Sequence, residues 1–231
     1  MFHGEGLRFK CEISFLICEV IDMRYRYTLS KLVLDTIDWI FDLFICGRVL
    51  RGSKVSQVVS SDYTSNQSCR YVVLKQIFDD LELNNTDSFL EVGCGPGRVI
   101  AYLIWKKSPC NITGFEINAK DACFCKEVLS DYKQINICCC DVFDKDLSSY
   151  NVFFLGHPFK PVSFARFIDK IENEVKHSAI VINVIDKDNY PYLLHRMGWK
   201  AIKHSIIYRY FGIRVLPSKN SYTIWSYSPK K

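Results

Sequence analysis

Phe89-Leu90-Glu91-Val92-Gly93-Cys94-Gly95-Pro96-Gly97-Arg98 joins an apolar run ending in an acid to a turn with glycine at alternate positions. A helical pattern begins directly after it. Such a turn carries almost no side chains, so a ligand can lie against bare backbone, and glycine admits the positive φ of the bend. The amides that open the following helix carry partial positive charge, which suits a polar or anionic group. Spacing narrows the ligand further. A dinucleotide fingerprint is G-x-G-x-x-G, and Arg98 stands where its third glycine would pack helix on strand. An NAD site is therefore disfavoured.

Acids recur after the next two apolar runs. Ile112 to Ile117 reads as a second strand closing on Glu116, 25 residues after Glu91. That distance suits one βαβ unit, and a carboxylate at the second strand end can accept both hydroxyls of a ribose. Ile135 to Cys140 reads as a third strand, followed by Asp141, with Asp144 and Asp146 close behind. Asn151 to Leu155 reads as a fourth, leading into Gly156-His157-Pro158-Phe159. Open α/β sheets bind ligands beyond the carboxyl ends of their strands, so all four strand ends face one site. His157 offers either a general base near neutrality or a residue that shapes the turn.

The Glu91 to Gly97 pattern resembles motif I of the class I S-adenosylmethionine (SAM)-dependent methyltransferases. The chain is similar to compact bacterial members of the Gly-Cys-Gly-x-Gly-Arg type, often associated with polysaccharide or natural-product genes. The similarity spans residues 60 to 227 in organisation and is close in detail only at Glu91 to Arg98, at Glu116 and from Asn151 to Phe159. It implies a Rossmann-like α/β fold, a seven-stranded, mostly parallel, doubly wound sheet whose seventh strand is antiparallel and lies between the fifth and sixth. It implies SAM as cofactor. Glu91 would orient the methionine ammonium, and Gly93, Cys94, Gly95 and Gly97 would admit the methionine half. Glu116 and Ile117 would meet the ribose, Asp141 the adenine amino group and the Val142 amide the ring, with Gly156 beside them. The loop after strand four resembles the Asn-Pro-Pro-Tyr and Asn-Pro-Phe loops of methyltransferases, with His157 in place of asparagine. That departure favours an oxygen acceptor, whose proton a neutral imidazole can take. The Arg98 position also resembles Rossmann-type protein-lysine methyltransferases.

The remaining elements frame these residues. Leu29 to Cys46 predicts a helix stopped by Gly47, with Asp35, Asp38 and Asp42 as one polar stripe and the rest apolar. It packs across the domain or against a second subunit of a homodimer. Residues 1–60 form an N-terminal helical extension with a polar linker at Ser53 to Ser61, and residues 61–231 the methyltransferase domain. Residues 1–22 carry no interpretable motif, and Met23 offers an alternative beginning. Tyr63 and Thr64 precede a helix from Gln67 to Leu83; in the resembling family this segment often folds over the cofactor. Further helices are expected at Asn118 to Tyr132, Pro161 to Lys176 and Tyr190 to Met197. Strands are expected at Ser178 to Ile185, Lys200 to Tyr210 and Tyr222 to Tyr227.

Composition sets the outer limits. A chain of 231 residues, 48% hydrophobic, buries a full core without staples. Eleven cysteines with no apparent signal sequence point to reduced, mostly buried thiols in a cytoplasm. No histidine stands at ligand spacing from a cysteine pair, so no metal is expected. No stretch reads as a transmembrane segment. From Asn189 to Lys231 there are eight Lys or Arg and no acid, interleaved with Tyr190, Tyr192, Trp199, Tyr208, Tyr210, Phe211, Tyr222, Trp225 and Tyr227. A basic, aromatic wall suits a phosphorylated sugar, an anionic glycan or a nucleic acid. The leading expectation is O-methylation of a small-molecule, sugar or glycan acceptor. Protein-lysine or nucleic-acid methylation and a non-catalytic SAM-binding interaction protein are the alternatives.

Overall fold

Seven runs rich in β-branched and aromatic residues build one sheet. In the computed structural model, which describes residues 29–51, 63–64, 68–207, 209–210, 213–215 and 220–229, the first five are parallel. They are β1 (Ser88–Val92), β2 (Asn111–Glu116), β3 (Ile135–Cys139), β4 (Val152–Leu155) and β5 (Ala179–Val184). β6 (Trp199–Ile206) lies at one sheet edge, and β7 (Arg209–Tyr210) and β8 (Ile213–Arg214) form a separate hairpin. β9 (Ser221–Tyr227) returns to the main sheet, antiparallel to both β5 and β6. The order is β3-β2-β1-β4-β5-β9-β6, the topology that the resemblance implies. Register aligns the functional ends: Val92 pairs with Phe115 and Leu155, and Glu116 with Cys139.

All four residues of β4 are buried, as a central parallel strand covered on both faces requires. Alternation divides them between two cores. Phe154 packs with Phe89 and Ile112 on one face, and Phe153 and Leu155 pack with Leu90 and Val92 on the other. Each such large side chain contributes about 1.5–3 kcal/mol on burial.

Helices cover both faces. The chain supplies α1 (residues 29–46), α2 (Tyr71–Asp79), α3 (Arg98–Trp105), α4 (Ala119–Val128), α5 (Pro161–Glu174) and α6 (Tyr190–Leu194). Several ends differ from the pattern-based expectation. The strand expected over Lys200 to Tyr210 stops at Ile206, because Ile206 pairs with Ser221, where β9 begins. α6 ends at Leu194 rather than Met197: Arg196 reaches Glu172 and Asp169 on α5, and β6 opens three residues later. α2 begins after Arg70, whose guanidinium is held by Asp35 and Asp38. The linker expected at residues 53–61 lies outside the described residues.

α3 is buried from Arg98 through Leu103, so something must cover the side turned away from the sheet. α1 contributes to that cover with Leu34, Ile37, Phe41 and Ile45 and, less usually, with its acids. Arg98 at the start of α3 donates through Nε and Nη2 to the two oxygens of Asp42, at 3.0 and 2.7 Å. Asp42 is fully buried and also accepts from the Tyr71 hydroxyl and the Leu50 amide. Asp38 accepts from Arg70 and the Tyr71 amide, and Asp35 from Arg70 and Lys31. The polar stripe of α1 therefore faces inward, because buried guanidiniums need counter-charges more than the core needs another leucine. Burial pushes the Asp38 carboxyl up, against the pull of Arg98.

Removing one partner of a buried pair leaves the other charge uncompensated. Asp42→Ala should lower stability by about 3–5 kcal/mol in chemical denaturation, whereas Asp35→Ala, at a partly exposed pair, should cost about 1 kcal/mol or less. Equal losses would show that the Arg98 contact is not the anchor.

Candidate cofactor site

The glycine turn after β1 is held by its own amides. Gly93 and Cys94 both donate to the Phe115 carbonyl, at 2.8 and 3.0 Å, and Gly97 donates to the Cys94 carbonyl at 2.9 Å. Gly93, Gly95 and Gly97 have φ of +72°, +52° and +90°. Two of them have a packing reason to lack a side chain. A Cβ on Gly97 would lie 2.6 Å from Cys125 Sγ and 3.1 Å from Leu129 Cδ1, so glycine lets α4 approach. A Cβ on Gly93 would lie 3.1 Å from Pro158 Cβ, in the loop after β4. Gly95 is the one between them, at the crest of the turn.

Two carboxyls back this turn. Glu116, at the end of β2, accepts from the Gly95 amide at 2.8 Å and from the Asn118 amide at 2.7 Å, one on each oxygen. The Ile117 amide adds a third such bond, so of the four acceptor sites of the carboxylate one is left. Asn118 in turn caps α4 by accepting from Lys120 and Asp121, so β2, the turn and α4 share one hydrogen-bonded corner. Burial raises the Glu116 pKa despite these amides. Glu91 lies deeper. It accepts from the Ile100 backbone in the first turn of α3, yet its Oε2 is buried with no hydrogen-bond partner. Burial, with the nearby Cys125 and Glu116, pushes its pKa well above the usual carboxylate range.

Asp141 follows β3 and opens a 3-10 turn over Val142–Asp144 by accepting from the Phe143 amide at 2.9 Å. Its other oxygen accepts from the Tyr63 hydroxyl at 2.7 Å. Tyr63 also bridges to Phe159 and packs on its ring, while Thr64 donates to the Pro158 carbonyl through its amide and to the His157 carbonyl through its hydroxyl. Residues 63–64 thus tie the end of β3 to the loop after β4. Val142 is buried, Ile117 half-buried, and a Cβ on Gly156 would meet only an ordinary contact with Phe154.

His157 occupies the left-handed region at φ +67°, and Ile185, just past β5, does so at +58°. For a β-branched residue that is a true outlier, and such positions cost about 1–3 kcal/mol each. The imidazole hydrogen-bonds the Ile185 backbone, while its Nδ1 is buried without a partner. Nε2 is left as the donor of that bond and Nδ1 as the unprotonated nitrogen. Burial lowers the His157 pKa, with Asp188 and the Ile185 bond pulling the other way.

Most of the described residues of the expected aromatic wall are not at the surface, although Tyr192 is exposed and Tyr190 half-buried. Trp199, Tyr222, Trp225 and Tyr227 are buried in the two cores, because their strand lies inside the sheet or packs under α6. The side chains of Tyr208, Tyr210 and Phe211 lie outside the described residues. Cysteines also differ from the expectation: of nine described free thiols, Cys94, Cys110 and Cys125 are buried, and Cys123 and Cys139 are exposed. Among the described residues no group of ligating side chains could hold a metal, and no helix is long and apolar enough to cross a membrane. Sequence reasoning missed Arg98 as the anchor of α1; its one signal was a charge at the first position of an otherwise apolar helix.

No protein-family model matches the sequence, and no curated protein matches it. Solved structures do. An RNA methyltransferase from Salinibacter ruber in complex with S-adenosyl-L-homocysteine aligns at TM-score 0.53 and 13% identity, over 71% of this chain and 96% of that one. A SAM-dependent O-methyltransferase from Thermotoga maritima aligns at 0.52 and 17%, over 72% and 68%. Geranyl diphosphate C-methyltransferase from Streptomyces coelicolor aligns at 0.54 and 10%, over 68% and 76%. At these identities the likeness establishes the fold, that of the class I methyltransferases.

Glu91 generates a test with a sign. A carboxyl whose folded pKa is raised loses stability for the protein as pH climbs above its unfolded value of about 4.3. Glu91→Gln should therefore raise the ligand-free Tm by several degrees near pH 8 and by less near pH 5. A Tm difference independent of pH would remove the buried ionisable group from this account.

Proposed function

We propose that this chain is a SAM-dependent methyltransferase that O-methylates a small-molecule, sugar or glycan acceptor. The observation that carries the cofactor reading is Glu91 Oε2, a buried acceptor with no partner beneath the left-handed glycine turn. An ammonium group brought to that oxygen supplies the missing partner and returns the carboxyl to its ionised form. The class I fold and the two further strand-end acids support the same ligand.

SAM supplies an electrophilic methyl group on a sulfonium. The rest falls to the chain. Gly93, Cys94, Gly95 and Gly97 form the backbone cradle for the methionine half. Glu116, with one acceptor site left beside its three backbone bonds, holds the ribose beside Ile117, and Asp141 holds the adenine amino group, with the Val142 amide at the ring. Tyr63 hydrogen-bonds the same Asp141 carboxylate, so the segment at residues 63–64 helps to close the site against water. His157 Nδ1 takes the proton of the acceptor hydroxyl. Burial keeps that nitrogen neutral at neutral pH, and the Ile185 bond fixes the ring orientation. Gly156, between β4 and His157, brings the base beside the cradle.

A second reading, methylation of RNA or of protein lysine, is supported by the exposed Lys200 and Lys203 on β6, the latter 3.3 Å from Asp80. Acceptor trials with methyl-labelled SAM across sugars, RNA and peptides separate the two.

Calorimetry should give low-micromolar or tighter SAM binding, with NAD unable to compete. Glu116→Ala should weaken it by roughly tenfold or more, since each charge-assisted hydrogen bond is worth about 1.5–3 kcal/mol. No heat with SAM, or an unchanged affinity in the variant, sinks the cofactor assignment.

The base role is tested separately. His157→Asn should lower turnover by roughly 10²–10⁴-fold with SAM affinity little changed. The wild-type acid limb should fall below pH ~6.5, because burial depresses the His157 pKa and only the neutral ring accepts a proton. An active asparagine variant with a flat profile across that range removes His157 from the chemistry.

A further inference from the structure

The inner face of α1 is taken up by acids paired with Arg98 and Arg70 and by Leu34, Ile37, Phe41 and Ile45, and a second apolar stripe is left facing outward. Leu29 (46% exposed), Leu32 (58%), Val33 (46%), Ile40 (60%), Leu43 (52%) and Phe44 (75%) recur every third or fourth position along one face. Thr36 is the only other residue on this stripe, and its hydroxyl donates to the Leu32 carbonyl at 2.9 Å, so it needs no water. Lys31 lies on the opposite flank, paired with Asp35. The stripe is thus a charge-free apolar band about 24 Å long. Trp105, 42% exposed and edge-on to Phe41, widens it on one side.

We propose that this face joins two copies of the chain, α1 packed antiparallel on α1 about a two-fold axis that passes between Thr36 and Ile37. Three observations favour a second copy as the occupant. The first is self-complementarity. Positions equidistant from the centre match, Leu29 with Phe44 and Val33 with Ile40, so an antiparallel mate lays apolar on apolar along the whole band. A two-fold interface requires that property, because the same patch serves both sides. The second is the lack of charge within the band itself, the nearest cations being Arg51 over Trp39 and Lys106 over Trp105 at its margins, where they can stay in water. The third is area. A large side chain about half covered contributes on the order of 100 Å². Six of them with Trp105 approach the roughly 800 Å² per partner of a stable interface. The smaller Thr36 at the crossing point lets the two helices approach there.

Sedimentation of the full chain at micromolar concentrations should show a reversible dimer. Ile40→Glu and Val33→Lys each place a lone charge in the band and should raise the dimer dissociation constant by about 100-fold, with far-UV circular dichroism unchanged because both positions are exposed. The double substitution sets opposite charges facing each other across the axis and should recover most of the association. A monomeric wild type overturns the proposal and leaves the band to residues 1–28 or to another protein. A dimer that Ile40→Glu leaves intact overturns it too, since the contact then lies elsewhere. Failure of the double variant to recover overturns the antiparallel register.

Discussion

A guanidinium cannot be buried alone, and Arg98 is buried at the first position of α3. Much of the architecture on that face follows from this constraint. Arg98 succeeds the glycine turn directly, so its position is set by the same bend that ends β1. Its need for counter-charge draws Asp42 and Asp38 inward, and with them the whole of α1. Tyr71 and Leu50 then complete the hydrogen bonds of Asp42, which positions the start of α2 and the chain after α1. The helix that covers α3 is oriented by electrostatics, and its exposed apolar band is the consequence.

The turn itself is rigid before any ligand arrives. Its amides are bound to Phe115, to Cys94 and to Glu116, and two of its glycines are required by the packing of α4 and of the loop after β4. The same residues that would hold a ligand also hold the turn. A substitution at Glu116 therefore changes both its remaining acceptor and the position of Gly95. Glu91 differs because one of its oxygens has no internal task. A buried acceptor left open costs stability.

Strain collects at the neighbouring strand ends. His157 and Ile185 both occupy the left-handed region, on adjacent strands, and are hydrogen-bonded to each other. Neither residue favours that conformation alone, so the surrounding sheet must enforce it. The result is an imidazole aimed by its own backbone, with one nitrogen committed and the other free. Residues 63–64, bonded to Asp141 and to the His157 and Pro158 carbonyls, brace the same loop from the other side.

The strands and the acids at their ends were legible in the sequence, since short apolar runs closed by Glu91, Glu116 and Asp141 are local patterns, whereas the strand order came only with the resemblance those patterns carry. Turn glycines, the Gly47 stop of α1 and the Pro161 start of α5 were local too, because each depends on the backbone preferences of one residue. Which way a stripe faces is not local. Asp35, Asp38 and Asp42 announce an amphipathic helix, but inward or outward depends on Arg98 and Arg70, tens of residues away and brought close only by the fold. The aromatics after Asn189 looked like a wall because composition cannot tell the inner strand β9 from an edge. Pairing decided it: β9 lies between β5 and β6, so Tyr222 and Trp225 had to be core. Sequence period determines which residues share a face, and only the packed partners determine what that face meets.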